Sequence, residues 1–184
     1  VPSVEADIVT ASHRHRDHSN VRAVIGSPLV FSEPGRYEAA GARILGIPTF
    51  HDRFGGRRRG RNTVFLVEMD GIAVCHSGDL GHALSDDQVR ELGRIDVLFV
   101  NAGGRFALSI AATADLRRRL DAEITVPMHY RTQAMALGGL FFMPVERFIL
   151  ATGEPPERIH HVRELDLDRA SLSSQAGIFI MEYQ

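Results

Sequence analysis

The sequence contains no lysine, so all 21 of its basic residues are arginine, a usage that reads as coding bias rather than function. It has a single cysteine, Cys75. An internal disulfide is therefore excluded, and a reducing compartment, the cytoplasm, is expected. Cys75 follows the apolar run "GIAV" and reads as a small core residue. No apolar stretch approaches the ~20 residues that a membrane-spanning helix needs. The opening "VPSVEADIVT" lacks the basic and then apolar pattern of a secretory leader. Neither sign of charge dominates: 21 basic residues face 23 acidic ones, a net charge of −2, which argues against a broad nucleic-acid or membrane surface. What is present is ordinary globular composition. Hydrophobic residues make up 44% and charged residues 24% of 184, enough to bury a sizeable core. With no internal repeat, low-complexity tract or linker, residues 1–184 read as one domain.

Short apolar runs rich in Val, Ile and Phe, bounded by Gly, Asp or Pro, predict strands at 7–11, 42–50, 63–69, 71–76, 95–101, 123–128 and 177–183. Asp70-Gly71 predicts a tight hairpin turn. Helices are expected over 85–93, with Ser85 as N-cap and Gly93 as stop, over 109–121, and over 143–153, where Pro144 falls in the first turn. The alternation predicts a mixed α/β chain.

The polar residues of interest cluster just past the ends of those strands. The first runs into "SHRHRDHSN", which brings His13, His15, Asp17 and His18 within six positions. The second runs into His51, the fourth into Asp79 and the sixth into His129. Imidazole and carboxylate are the usual nitrogen and oxygen ligands of zinc and similar ions. In an extended segment alternate residues face the same way, so His13, His15 and Asp17 are expected to share a face while Arg14 and Arg16 point outward, and His18 joins as the chain turns. Seven such groups exceed the need of one tetrahedral ion and suit two.

These motifs resemble the metallo-β-lactamase superfamily, and within it the UlaG-like branch named for ascorbate-6-phosphate lactonase. "SHRHRDH" resembles the superfamily's T/S-H-x-H-x-D-H metal motif; "IPTFHD", "CHSGDLGH" and "VPMHYRT" resemble the branch's later motifs, in order, from about Ala6 to Thr132. The resemblance implies an αββα four-layer sandwich with metals at one edge, here without the first strands usual in the family. It implies two divalent ions, zinc by default and manganese as the alternative. His13, His15 and His51 would hold one ion, Asp17, His18 and His129 the other, and Asp79 would bridge them. The implied nucleophile is a hydroxide bound by both ions, with Asp17 as the catalytic residue that orients it and handles its proton.

Around this set, His76 and His82 flank Asp79 and are expected either to orient a ligand by hydrogen bonding or to serve the local structure; Asp52 is a further acid placed to orient a ligand. Tyr130 is expected to pack, and His160 and His161 to lie on the surface. The loop "GGRRRGRN", 55–62, offers Arg57, Arg58, Arg59 and Arg61 to a phosphate or carboxylate, with Arg61 and then Arg58 the expected substrate-binding residues. After the fifth strand, "NAGGRFALS" carries Asn101, Ala102 and Ala107 where the branch has Pro-Val-Gly-Gly followed by an aromatic, Thr and an acid. That difference bears on the substrate more than on the metals. The expected function is a metal-dependent hydrolase of an ester-like bond, a lactone or phosphoester, in a small, anionic substrate, working as a homo-oligomer. A non-catalytic metal-binding scaffold on the same fold is the alternative, and a di-iron redox site a third.

Overall fold

Strands that alternate their side chains between two faces build the molecule around one large mixed sheet. The computed structural model describes residues 4–16 and 18–182. Its strands are β1 (Val4–Glu5), β2 (Ile8–Thr10), β3 (Val24–Ile25), β4 (Leu29–Phe31), β5 (Gly35–Ala39), β6 (Ala42–Phe50), β7 (Arg61–Met69), β8 (Ile72–His76), β9 (Val97–Asn101), β10 (Ile124–Met128), β11 (Ile159–Val162) and β12 (Gly177–Met181). The helices are α1 (Asp86–Leu92), α2 (Ile110–Leu120) and α3 (Val145–Thr152), with short 3-10 turns between elements.

Eight strands form the main sheet in the order β11-β12-β10-β9-β8-β7-β6-β5. From β8 to β11 every pairing is parallel, whereas β5, β6, β7 and β8 pair antiparallel in succession. The hairpin between β7 and β8 turns at Asp70 and Gly71, both with positive φ (52° and 77°), as a two-residue Asp-Gly turn requires. Two short parallel pairs, β1 with β3 and β2 with β4, stand apart from the large sheet. Among the described residues they are what answers to the second sheet of the expected sandwich.

Successive residues of the central strands serve opposite faces. On β9, Leu98 and Val100 join a core with Leu116 and Leu120 of α2 and Phe148 of α3, while Val97 and Phe99 join a second core covered by Leu165, Leu167 and Leu172. On β12, Ile178 and Ile180 fall in the first core and Phe179 in the second. Cys75 is fully buried in the first, and burial pushes its thiol up to about 12, so it packs as an apolar group.

The helices start and stop where their caps direct. Ser85 accepts from the Gln88 N–H, and the Gln88 side chain accepts from the Ser85 N–H, a complete capping box. Ser109 caps α2. Pro144 stands one place earlier than its predicted first-turn position, as the N-cap of α3, and Gly153 closes that helix in the left-handed region.

This topology sets the site. β6, β8, β9 and β10 run the same way, so their C-terminal ends share one edge of the sheet, and β7 begins at that edge with Arg61 and Asn62. The Thr63 N–H donates to the Ser12 carbonyl at 2.8 Å, which brings the segment after β2 to the same place.

A candidate metal centre and its adjoining cleft

The segment following β2 behaves as an extended strand would. His13 is buried and His15 half-buried, while Arg14 and Arg16 are exposed. Arg14 pairs with Glu33 at 2.9 Å, which holds its charge away from the cluster. The chain then turns: the His18 N–H and the Ser19 hydroxyl both donate to the His15 carbonyl at 2.9 Å. Asp17 lies outside the described residues.

The imidazoles converge. Ring centroids lie 4.7 Å apart for His13–His15 and His13–His18, 5.0 Å for His13–His51 and His15–His51, and 5.3 Å for His18–His129. Two groups of possible ligand atoms lie within 4.8 Å of one another: His13, His15 and His51, and His13, His18 and Asp79. His13 is common to both, so six of the seven residues singled out in the sequence are described and all six meet at this edge. His129 takes φ 56°, a left-handed conformation that a non-glycine residue holds only where its surroundings impose it.

Electrostatics keep these groups in ligand form. His51 Nε2 donates to Asp79 Oδ2 at 3.0 Å, and its buried Nδ1 has no hydrogen-bond partner among the described residues. His13 Nε2 is likewise buried and without one, at 3.8 Å from Asp79 Oδ2. Burial, reinforced by the neighbouring imidazoles against the pull of Asp79, lowers His13 to about 4 and holds it neutral. Burial alone would raise Asp79. The hydrogen bond from His51 and the nearby His129, His51 and His18 outweigh it, and the carboxyl stays well below the usual range. Buried nitrogens left without partners are costly unless something takes their lone pairs. A neutral His13 and further imidazoles gathered around an ionised carboxylate are the donor set a divalent cation takes, so the residues present fit the metal ions that the family resemblance implies.

Two asparagines that the sequence did not mark as site residues build the frame. Asn62 is 1% exposed: its Nδ2 donates to Thr49 Oγ1 (2.8 Å) and the Ser77 carbonyl (3.0 Å), and its Oδ1 accepts the Asp79 N–H (2.9 Å). Asn101, 2% exposed, donates through Nδ2 to Asp79 Oδ1 (3.2 Å), and the same nitrogen lies 3.0 Å from His129 Nδ1. Asn62 closes the arginine loop and Asn101 ends β9. A buried amide at a strand end was the only signal available.

The glycines of "SGDLGH" are required by close approach. A Cβ on Gly78 would stand 2.4 Å from Asn62 Oδ1 and 2.6 Å from Ser12 Cβ, and Gly78 has φ 58°. A Cβ on Gly81 would stand 2.3 Å from the Asp52 nitrogen.

Several expectations are corrected. Asp52 does not turn its carboxylate to the cluster. Oδ1 accepts from the N–H groups of Phe54 (2.7 Å) and Gly56 (3.0 Å), and Oδ2 from those of Arg58 (2.9 Å) and Arg59 (2.7 Å), so this acid folds the loop. Although desolvation opposes it, these four donors lower its pKa. His82 accepts the Phe50 N–H at Nε2 (3.1 Å) and lies 2.8 Å from the Ala83 carbonyl through Nδ1; it fixes the backbone beside His51 rather than a ligand's ring. His76 accepts the Gly78 N–H at Nδ1 (3.1 Å) and is held neutral chiefly by burial, so it shapes the turn that presents Asp79. Tyr130 packs against the core, as expected. His160 and His161 lie on strand β11: His161 is exposed, as expected, whereas His160 is half-buried and stacked on Phe179 at 4.5 Å.

Beside the cluster a cleft of about 570 Å³ is lined by His51, Arg53, Phe54, Arg58, Arg59 and His82, together with Gly104, Phe106 and Leu108. Arg58, expected to grip substrate, lines it. Arg61 is exposed on β7 opposite Phe50 and is not among its lining residues; Arg59 takes that place.

Comparison with known proteins matches this picture. A protein-family model described as a beta-lactamase superfamily domain matches residues 1–129. A crystal structure from Thermotoga maritima, described as a candidate zinc-dependent hydrolase of the metallo-beta-lactamase superfamily, is 35% identical with a TM-score of 0.82, over 100% of this chain and 86% of that one. A UPF0173 metal-dependent hydrolase of Methanoregula boonei is 27% identical, covering 86% of this chain and 87% of its own. One of Methanoculleus marisnigri is 28% identical over 70% and 67%. The motifs at one sheet edge, the matched domain and the shared architecture agree: this chain belongs to the metallo-β-lactamase superfamily.

Proposed function

We propose that the protein is a metal-dependent hydrolase of a small, anionic substrate with an ester-like bond, a lactone or phosphoester, and that its motif order places it in the UlaG-like branch. The observation that carries this reading is the pair of buried, unpartnered imidazole nitrogens on His13 and His51 beside the ionised Asp79. His13, His15 and His51 would hold one divalent cation, His18, His129 and Asp17 a second, and Asp79 would serve both, with zinc the first candidate and manganese the next. When bound, such cations supply Lewis acidity, making water acidic enough to attack near neutral pH and countering negative charge on the reacting oxygens.

The chain's own residues do the rest. Asp79 stays ionised because His51 donates to it and the surrounding imidazoles favour its charge, while Asn62 fixes its backbone. Asp17 is proposed to orient the attacking water and take its proton. The cleft beside His51 holds the substrate and positions the bond to be cut next to the cluster.

The test is elemental analysis of the purified protein followed by turnover on a panel of esters, lactones and phosphodiesters with the metal found. Replacing His13 and His15 together by alanine should abolish stoichiometric metal binding and turnover; unchanged metal content overturns the assignment. Metal content with no turnover anywhere on the panel would favour the binding-scaffold alternative.

A further inference from the structure

The cleft beside His51 has walls that the metal cluster does not use. Phe54 and Phe106 both line it, partly exposed, and each carries a guanidinium over its ring: Arg58 Cζ lies 4.2 Å from the Phe54 centroid and Arg59 Cζ 4.3 Å from the Phe106 centroid. Arg53 and Arg105 lie against the same rings at 5.0 and 5.3 Å. Stacking on a ring occupies the face of a guanidinium and leaves its N–H edge available for an oxyanion.

These arginines differ from most others in the chain. Arg36, Arg43, Arg117, Arg119, Arg158 and Arg169 each pair with a carboxylate. Among the described residues no carboxylate lies at ion-pair distance from Arg53, Arg58, Arg59 or Arg105. The one acid lining the cleft among the described residues, Asp52, is already engaged by four backbone N–H groups. Phe106 also has φ 71°, an unfavourable conformation that sets its ring under Arg59. Cations held in place without counter-ions, alternating with partly exposed rings, make a recognition surface for a group that is both charged and flat.

We propose that this cleft is a substrate subsite in which Arg58 and Arg59 bind an oxyanion while Phe54 and Phe106 take an adjoining flat, apolar group. The proposal rests on the hydrolase reading and narrows it to substrates bearing an anionic group next to an aryl or similarly flat moiety, with the scissile bond toward His51.

Three probes separate charge from ring: benzenesulfonate, which is a poor metal ligand, methanesulfonate and benzyl alcohol. Titration of each into the metal-loaded protein should show benzenesulfonate binding at least roughly tenfold tighter than either of the others. Arg58→Ala and Arg59→Ala should each weaken it by about tenfold with an unchanged circular dichroism spectrum. Arg57→Ala, on the same loop but outside the cleft, should leave its affinity as it was. Equal affinities for the three probes, or an Arg57→Ala loss as large as that of Arg59→Ala, would overturn the subsite. Turnover on the ester panel is a separate readout: a preference for benzenesulfonate without turnover overturns the hydrolase reading and leaves the subsite standing.

Discussion

At the scale of single residues, Asn101 carries the most consequence for its size. Its amide nitrogen donates to Asp79 Oδ1 and lies 3.0 Å from His129 Nδ1, so this side chain ties the end of β9 to groups delivered by β8 and β10. Partners that orient metal ligands typically contribute roughly 10–100-fold to affinity. Asn101→Leu keeps the volume and removes the donor. It should weaken binding of divalent cations by about that factor while the fold persists, as isothermal titration of the metal-free protein will read. Unchanged affinity would mean that Asp79 and His129 are held by the backbone alone. The proposed ligands could be picked out in the sequence because metal chemistry restricts the choice to a few residue types at fixed spacing. Asn101 and Asn62 could not: an amide earns its role from what surrounds it, and those neighbours arrive from segments 13 to 28 positions away.

At the scale of elements, strands that bury one or both faces were readable and those that do not were missed. β6 was predicted to its observed bounds and β7 to β10 to within two residues, since their apolar runs are dictated by two cores. β5, "GRYEA", is an edge strand with a polar, alternating surface, and β11, "IHHV", hides a structural histidine behind a polar-looking stretch. β1 and β3 are two residues long, below what an apolar pattern can mark, and β4 is short and mostly exposed. The arginine loop was legible as a loop, but not its organising acid. Because Asp52 gathers four N–H groups, Asp52→Ala should release the loop without unfolding the sheet. Hydrogen exchange at Phe54, Gly56, Arg58 and Arg59 should then accelerate selectively, since those amides lose their acceptors. Retained protection at all four would assign the loop's order to the cation–π contacts instead.

At the scale of the whole molecule, the site taxes stability in acid, and the direction follows from the shifts. His13 titrates near 4 in the folded chain and near its ordinary 6.5 when unfolded. Between those values the unfolded state binds the extra proton, so stability falls as pH drops from about 6.5 toward 4. His76, also lowered by burial, adds in the same sense. Asp79 is lowered as well, and its contribution is present above its ordinary 3.8 and lost as pH falls below that. The metal-free protein should therefore lose roughly 5–10 °C in Tm between pH 7 and pH 4.5, well before ordinary carboxylates titrate. His13→Gln cannot titrate and should flatten that part of the curve. Saturating divalent cation should raise Tm most at neutral pH, where imidazoles are free to bind it, and progressively less in acid, where protons compete. A flat Tm across this range in the metal-free protein, with no effect of His13→Gln, would show that the cluster is open enough for water to solvate the protonated rings.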